Sequence, residues 1–164
     1  MKLFSTNFNY ELLSHTDREF YFKLFSNSEV MRWIDLPWSE EKSSSALSLI
    51  IDNNQNLKSY HKLWVVLCKS SGEKVGVIGL SKLVSESFKR DIGIMLMPSS
   101  QKKGAAQEIM NTIMDYGHSG LGLTKISCKI HIEHTACIRL AERLNFIPQF
   151  KRDQWSFWEK DLEQ

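Results

Sequence analysis

The sequence predicts a single α/β domain, residues 1–164, built on a mixed sheet flanked by helices. Three observations carry this. A chain of 164 residues suits one domain. Short β-branched apolar runs and stretches of helical period follow one another along it. An amphipathic segment over 105–118 joins two strand-like runs, and strands joined by a helix tend to pair in parallel.

The elements follow in order. Residues 8–13 (FNYELL) read as a first strand. Thr16-Asp17-Arg18-Glu19 has the pattern of a capping box, opening a helix with Phe20, Leu24 and Phe25 on one face. Ser39 is placed to cap a second helix, with Glu40 and Glu41 at its positive end and Leu47, Ile50 and Ile51 as its stripe. Leu63–Leu67 and Val75–Leu80, separated by Ser71-Gly72, read as a hairpin. Arg90–Met97 is a further strand, stopped by Pro98. Ala106, Ile109, Met110, Ile113 and Met114 then mark a helix, ended by the glycines after His118. Ile126, Cys128, Ile130 and Ile132 alternate with Ser127, Lys129, His131 and Glu133, as in a strand. A last helix over about Thr135–Leu144 buries Ala136, Leu140, Ala141 and Leu144, and Asn145 suits a left-handed cap. Strands near Phe146–Phe150 and Gln154–Glu159 close the chain. This order contains seven strands and four helices.

Composition removes several function classes. A net charge of +2 supplies no basic field for nucleic acid or an anionic membrane. No run approaches 18 apolar residues, and the N-terminus has no signal-peptide pattern. Three scattered cysteines and five histidines form neither a disulfide framework nor a metal-ligand spacing. A reducing cytoplasm is the expected compartment.

The segment with chemical content is Asp91–Glu108: a strand, a proline, a short loop and Gly104 at a helix start. A helix N-terminus offers unpaired N–H groups and a positive dipole end, and so binds phosphate. Gly104 allows close backbone approach, and Lys102 and Lys103 add charge. An ordinary strand–helix connection with solvated lysines is the alternative. Neither GxxxxGK[ST] nor GxGxxG occurs.

Gln101-Lys102-Lys103-Gly104-Ala105-Ala106 is similar to the (Arg/Gln)-x-x-Gly-x-(Gly/Ala) signature of GNAT acetyltransferases. The wider run IGIMLMPSSQKKGAAQEIM, with SNSEVMRWI (26–34) and IEHTACIRLAERLNF (132–146), resembles the RimJ/RimL-like branch. The resemblance implies a seven-stranded, mostly antiparallel sheet with a parallel splay between the fourth and fifth strands. It implies that acetyl-CoA is the cosubstrate and that no metal takes part. Its pyrophosphate would rest on the amides of Gln101, Lys102, Lys103, Gly104, Ala105 and Ala106. Its pantetheine arm would run along Met95, Leu96 and Met97. The acetyl group would pass directly to a primary amine on a small molecule or a protein N-terminus. A CoA-binding module without catalysis is the alternative. The aromatic C-terminal strands could pair across a homodimer.

Such a transfer needs a base, because an alkyl amine of pKa about 10.4 is protonated at neutral pH. Glu133 and His131 are candidates on the polar face of the 126–133 strand, and Asp91 is another. Relatives commonly carry Asn-x-x-Ser in the last helix, and some a Tyr acid four residues later. Here His134, Cys137 and Ala141 stand at those places. Cys137 could protonate the leaving thiolate, pair with His134, or simply pack. Trp33, Asp35 and Trp38 fall where relatives line the acceptor site, Asp35 as a counter-charge for a cationic amine. Either Trp155 or Trp158 faces the acceptor channel.

Overall fold

The computed structural model describes residues 3–56, 59, 61–82, 88–101 and 104–162. Its elements are β1 (Leu3–Phe4), β2 (Phe8–Leu12), α1 (Arg18–Phe25), α2 (Ser28–Met31), α3 (Glu40–Gln55), β3 (Lys62–Cys68), β4 (Lys74–Lys82), β5 (Lys89–Leu96), α4 (Ala105–Leu121), β6 (Lys125–His131), α5 (Thr135–Arg143), β7 (Ile147–Arg152) and β8 (Trp155–Asp161). The sheet has eight strands in the order β1-β2-β3-β4-β5-β6-β8-β7. The mixed α/β class is as expected, with one strand more than the sequence predicts. The addition is the two-residue β1, too short to leave a periodicity, so the expected fourth and fifth strands are β5 and β6. They form the parallel pair, and the other neighbours run antiparallel.

Local chemistry sets the helix ends. The first capping box lies two residues earlier than expected: the Ser14 N–H and Oγ both donate to Asp17 Oδ2 (2.8 and 3.1 Å). Asp17 is buried, and Lys74 pairs with it at 2.7 Å, so Asp17 is held from two sides. Ser39 caps α3 as predicted, accepting from the Lys42 N–H at 3.2 Å. Helix α4 continues through Gly120 and stops at Gly122, which adopts φ 66° and so permits the left-handed exit. Asn145 takes φ 60° after α5.

Two apolar cores lie on opposite faces of the sheet. On one, Ile109, Ile113 and Met114 of α4 and Leu140 and Ala141 of α5 pack on Ile78, Ile92, Leu96, Ile126 and Cys128. On the other, Tyr21 and Leu24 of α1 and Leu47 and Ile51 of α3 pack on Val65, Val77 and, at the margin, Met95. Side chains alternate across a strand. The even-numbered residues of β5 therefore face α4 and α5, and the odd-numbered ones, Asp91 among them, face α1–α3.

Candidate active site

Strands β5 and β6 pair over only three positions, Lys89↔Lys125, Arg90↔Ile126 and Asp91↔Ser127. Beyond Asp91 they separate. A cavity of about 970 Å³ fills the opening, with Ile92–Leu96 on one wall and Cys128–His131 on the other. It reaches Glu29, Arg32 and Trp33 on the α1–α3 side, and Gly104, Ala106 and Gln107 on the α4 side. The sheet is thus open from face to face.

At the α4 mouth, Gly104 is the N-cap residue at φ 87°, in the left-handed region. Among the described residues no side chain caps this helix start. The Glu108 N–H is the one bonded to the Gly104 carbonyl (2.9 Å). The N–H groups of Ala105, Ala106 and Gln107 precede it and have no intrahelical acceptor. They point out of a seventeen-residue helix at its positive end. A Cβ built on Gly104 meets no atom of the described residues within 4 Å. These residues fit a diphosphate. The Ala105 methyl is buried in the core, so only its backbone can take part. Lys102 and Lys103 lie outside the described residues.

An acidic side chain at such a site would oppose an anion. Glu108 in the first turn is drawn away from it, accepting bonds from Ser5 Oγ (2.6 Å), the Asn7 N–H (2.7 Å) and Asn7 Nδ2 (2.8 Å). Burial raises its pKa, but these bonds outweigh burial and leave the carboxyl below its usual range. A lowered carboxyl pKa stabilises the fold above the unfolded value and loses that contribution as pH falls through the folded value. Glu108→Ala is expected to lower stability at pH 7 by about 2 kcal/mol, since bonds to charged groups carry about 1.5–3. In urea titrations that difference should shrink toward pH 3. An unchanged gap at low pH would contradict the assignment.

The open edge of β5 requires one correction. The Met97 N–H donates to Val75 O at 2.9 Å, so Met97 is tied to β4. Hydrogen-bonding direction alternates along an antiparallel pair. Met95 therefore also faces β4, while the N–H and C=O groups of Ile92, Ile94 and Leu96 face the opening. Of the expected trio Met95, Leu96 and Met97, only Leu96 presents its backbone there. Gln101 Nε2 donates to the Leu96 carbonyl at 3.2 Å, which leaves the Leu96 N–H and the Ile94 groups facing the opening.

Asp91 lies at the last paired position, on the cavity wall. Burial pushes its carboxyl above the usual range, against a bond from Ser127 Oγ (3.1 Å) and the charges of Lys129 and Lys89. A carboxylate shifted upward in a cavity suits a base working near neutral pH. Glu133 is not brought to the site. Strand β6 ends at His131, and Glu133 lies in the following turn, exposed and away from the lining. The alternation that placed it beside His131 fails because the chain turns one residue earlier.

Cys137 and His134 do meet, with Sγ 3.1 Å from Nε2, and both line the cavity. Burial pushes the Cys137 thiol up to about 11. Burial and the nearby His131 hold His134 below its usual value. The pair is therefore a neutral thiol beside a neutral imidazole at pH 7, which disfavours a thiolate nucleophile.

The expected acceptor residues divide. Trp33 lines the cavity, its ring 4.9 Å from His131 and 5.9 Å from His134. Trp155 lines it too, edge-on to His131 at 5.4 Å, while Trp158 is buried in the core. Trp38 instead stacks on Phe25 at 4.5 Å, outside the lining. Asp35 is committed to Lys42 (2.8 Å) and Trp38 Nε1 (3.0 Å), and with the Leu36 N–H these hold its carboxyl down to about 2. It also lies outside the lining. Ser127, Lys129 and Arg32 were not anticipated as site residues. Ser127 and Lys129 sit on the polar face visible in the sequence, but the register that puts Ser127 against Asp91 is tertiary information.

No group of three or more His, Cys, Asp or Glu able to hold a metal occurs among the described residues, and no described helix is long and apolar enough to cross a membrane.

The sheet thus opens between its parallel pair, with a helix start at one mouth that has no side-chain cap among the described residues. The profile of the acetyltransferase (GNAT) domain matches residues 9–147, and the chain belongs to that family. Among curated proteins, it is 27% identical over 139 residues to the uncharacterized N-acetyltransferase YoaA of Bacillus subtilis, covering 82% of this chain and 76% of that one. It is 28% identical over 136 residues to the spermidine N(1)-acetyltransferase of Escherichia coli K12, covering 82% and 69%. Among solved structures, the spermidine N-acetyltransferase of Vibrio cholerae in complex with CoA and spermine superposes with a TM-score of 0.81 at 19% identity, covering 96% of each chain. A GNAT-family acetyltransferase from Bacillus anthracis superposes at 0.82 and 19%, covering all of both.

Proposed function

We propose that this chain, as one domain over residues 1–164, transfers the acetyl group of acetyl-CoA directly to a primary amine. The observation that carries the reading is the opening through the sheet, which joins the uncapped amides of α4 to the buried carboxyl of Asp91. Acetyl-CoA supplies the activated acyl carbon and a thiolate leaving group. The amides of Gly104–Gln107 would hold its diphosphate, and the edge of Ile94 and Leu96 its pantetheine amides. Asp91 takes a proton from the ammonium form of the acceptor, directly or through water. The N–H groups that β5 turns to the opening are the kind of donor a developing oxyanion needs. The Cys137 thiol can return a proton to the leaving thiolate. Trp33, His131 and Trp155 exclude water on the acceptor side.

Some of the relatives act, by their names, on spermidine, and the 132–146 run resembles RimJ/RimL-like chains, which act on protein N-termini. Both are amines, and both belong in a test panel. The second reading, a CoA-binding module without turnover, is favoured by Ala141, which stands where some relatives carry a Tyr acid. The two readings separate in one assay. Acetyl-CoA at 100 times its Kd should stabilise the protein by about 2.7 kcal/mol under either. Amine-dependent release of CoA thiol occurs only under the first. Stabilisation without thiol release from any amine would leave the binding module.

A further inference from the structure

The acceptor mouth has a charge arrangement that the transfer reading does not use. Its centre is a run of rings on one face of the sheet, Trp33 on His131 and His131 on Trp155. Each end carries a cation. Arg32 lies over the Trp33 ring at 4.7 Å, and Lys129 over the Trp155 ring at 4.3 Å. Both are exposed cavity residues, and neither has a hydrogen bond or ion pair among the described residues. Among the described residues, the acids that line the cavity are Asp91 and Glu29. Asp91 is buried and bonded to Ser127, and the charge of Lys129 already acts on it. Asp35, the carboxylate expected to attract a cationic amine, is bound to Lys42 outside the cavity. Glu29, exposed on the helix that leads to Arg32, is the other acidic lining residue among those described.

We infer that the acceptor is a small amine that also carries an anionic group, a carboxylate or a phosphate, held by Arg32 and Lys129. This rests on the acetyl-transfer reading and narrows it. Aromatic faces recruit ammonium groups when they are open. Here protein cations already lie over both indoles, so a polyamine meets like charge where it would need a cage. A planar guanidinium resting on an indole is held in one orientation, and its remaining N–H groups suit a carboxylate or phosphate. The amine of the same molecule then points past His131 toward Asp91.

The test is a steady-state comparison with acetyl-CoA of matched acceptors. An amino acid and its methyl ester form one pair, phosphoethanolamine and ethanolamine another, with spermidine and an uncharged peptide N-terminus beside them. The anionic member of at least one pair should have a kcat/KM about tenfold or more above its neutral partner and above spermidine. Which pair responds distinguishes carboxylate from phosphate. The double variant Arg32→Gln/Lys129→Gln should erase that preference, mainly through KM, and the preference should weaken with added salt because both cations are exposed. Higher kcat/KM for spermidine, for the peptide or for the neutral partners would overturn the inference while leaving acetyl transfer in place. An absence of turnover with every amine, in protein still stabilised by CoA, would overturn both.

Discussion

Gly104→Glu is expected to abolish coenzyme A binding, raising Kd by about 100-fold or more. Two effects act together. The position has φ 87° and no described atom within 4 Å of a new Cβ, so the side chain would project toward the site proposed for the diphosphate. Its carboxylate also sits at the positive end of α4 and occupies the unpaired amides itself, as an N-terminal acid does. Either effect removes the anion's partners, and 100-fold corresponds to about 2.7 kcal/mol, a modest share of what several charge-assisted bonds provide. Gly104→Ala separates conformation from charge. Its methyl meets no described atom within 4 Å, so it strains the left-handed backbone by about 1 kcal/mol and leaves the amides available. Calorimetric titration of both variants with CoA checks this. Glutamate should eliminate the heat of binding while alanine retains most of it.

Asp91→Asn should lower kcat/KM by about 100- to 1000-fold, the range a positioned general base contributes. The same change should not weaken the fold at neutral pH. Burial raises the folded-state pKa of Asp91, so folding is favoured most when the group is protonated, below its unfolded value, and that contribution is lost as pH rises through the folded value. Above that value the wild-type protein holds a desolvated carboxylate. An amide keeps an acceptor for Ser127 Oγ without that charge. Asp91→Asn is therefore expected to be inactive yet more thermostable than wild type at pH 7, with the difference vanishing toward pH 3. The acid limb of the wild-type rate profile should also lie above the ordinary carboxylate range. Retained activity in Asp91→Asn would move the base elsewhere.

Much of this arrangement was legible in the residues. The strand–proline–loop–glycine–helix order around Gly104, the period of α4 and the alternation of β6 are local patterns, and local patterns survive folding. What was missed depends on contacts between distant segments. The backbone of Met95 and Met97 was expected at the cosubstrate, but which edge of a strand is free depends on the hydrogen-bonding register with β4, and composition does not encode that phase. Glu133 was expected beside His131 because alternation was extended two residues past the end of β6. Asp35 and Trp38 were expected at the acceptor, yet Lys42, in the first turn of α3, captures the carboxylate and Phe25 takes the indole. The cation pair at Arg32 and Lys129 was invisible because Trp33 and Trp155 lie at opposite ends of the chain.

The amides that start α4 carry the whole account, and NMR can observe them directly. In a 15N-labelled protein titrated with CoA, the N–H resonances of Gly104, Ala105, Ala106 and Gln107 should shift most, accompanied by those of Ile94 and Leu96 on the open edge of β5. Saturable binding that leaves these six resonances in place and moves others would contradict the account.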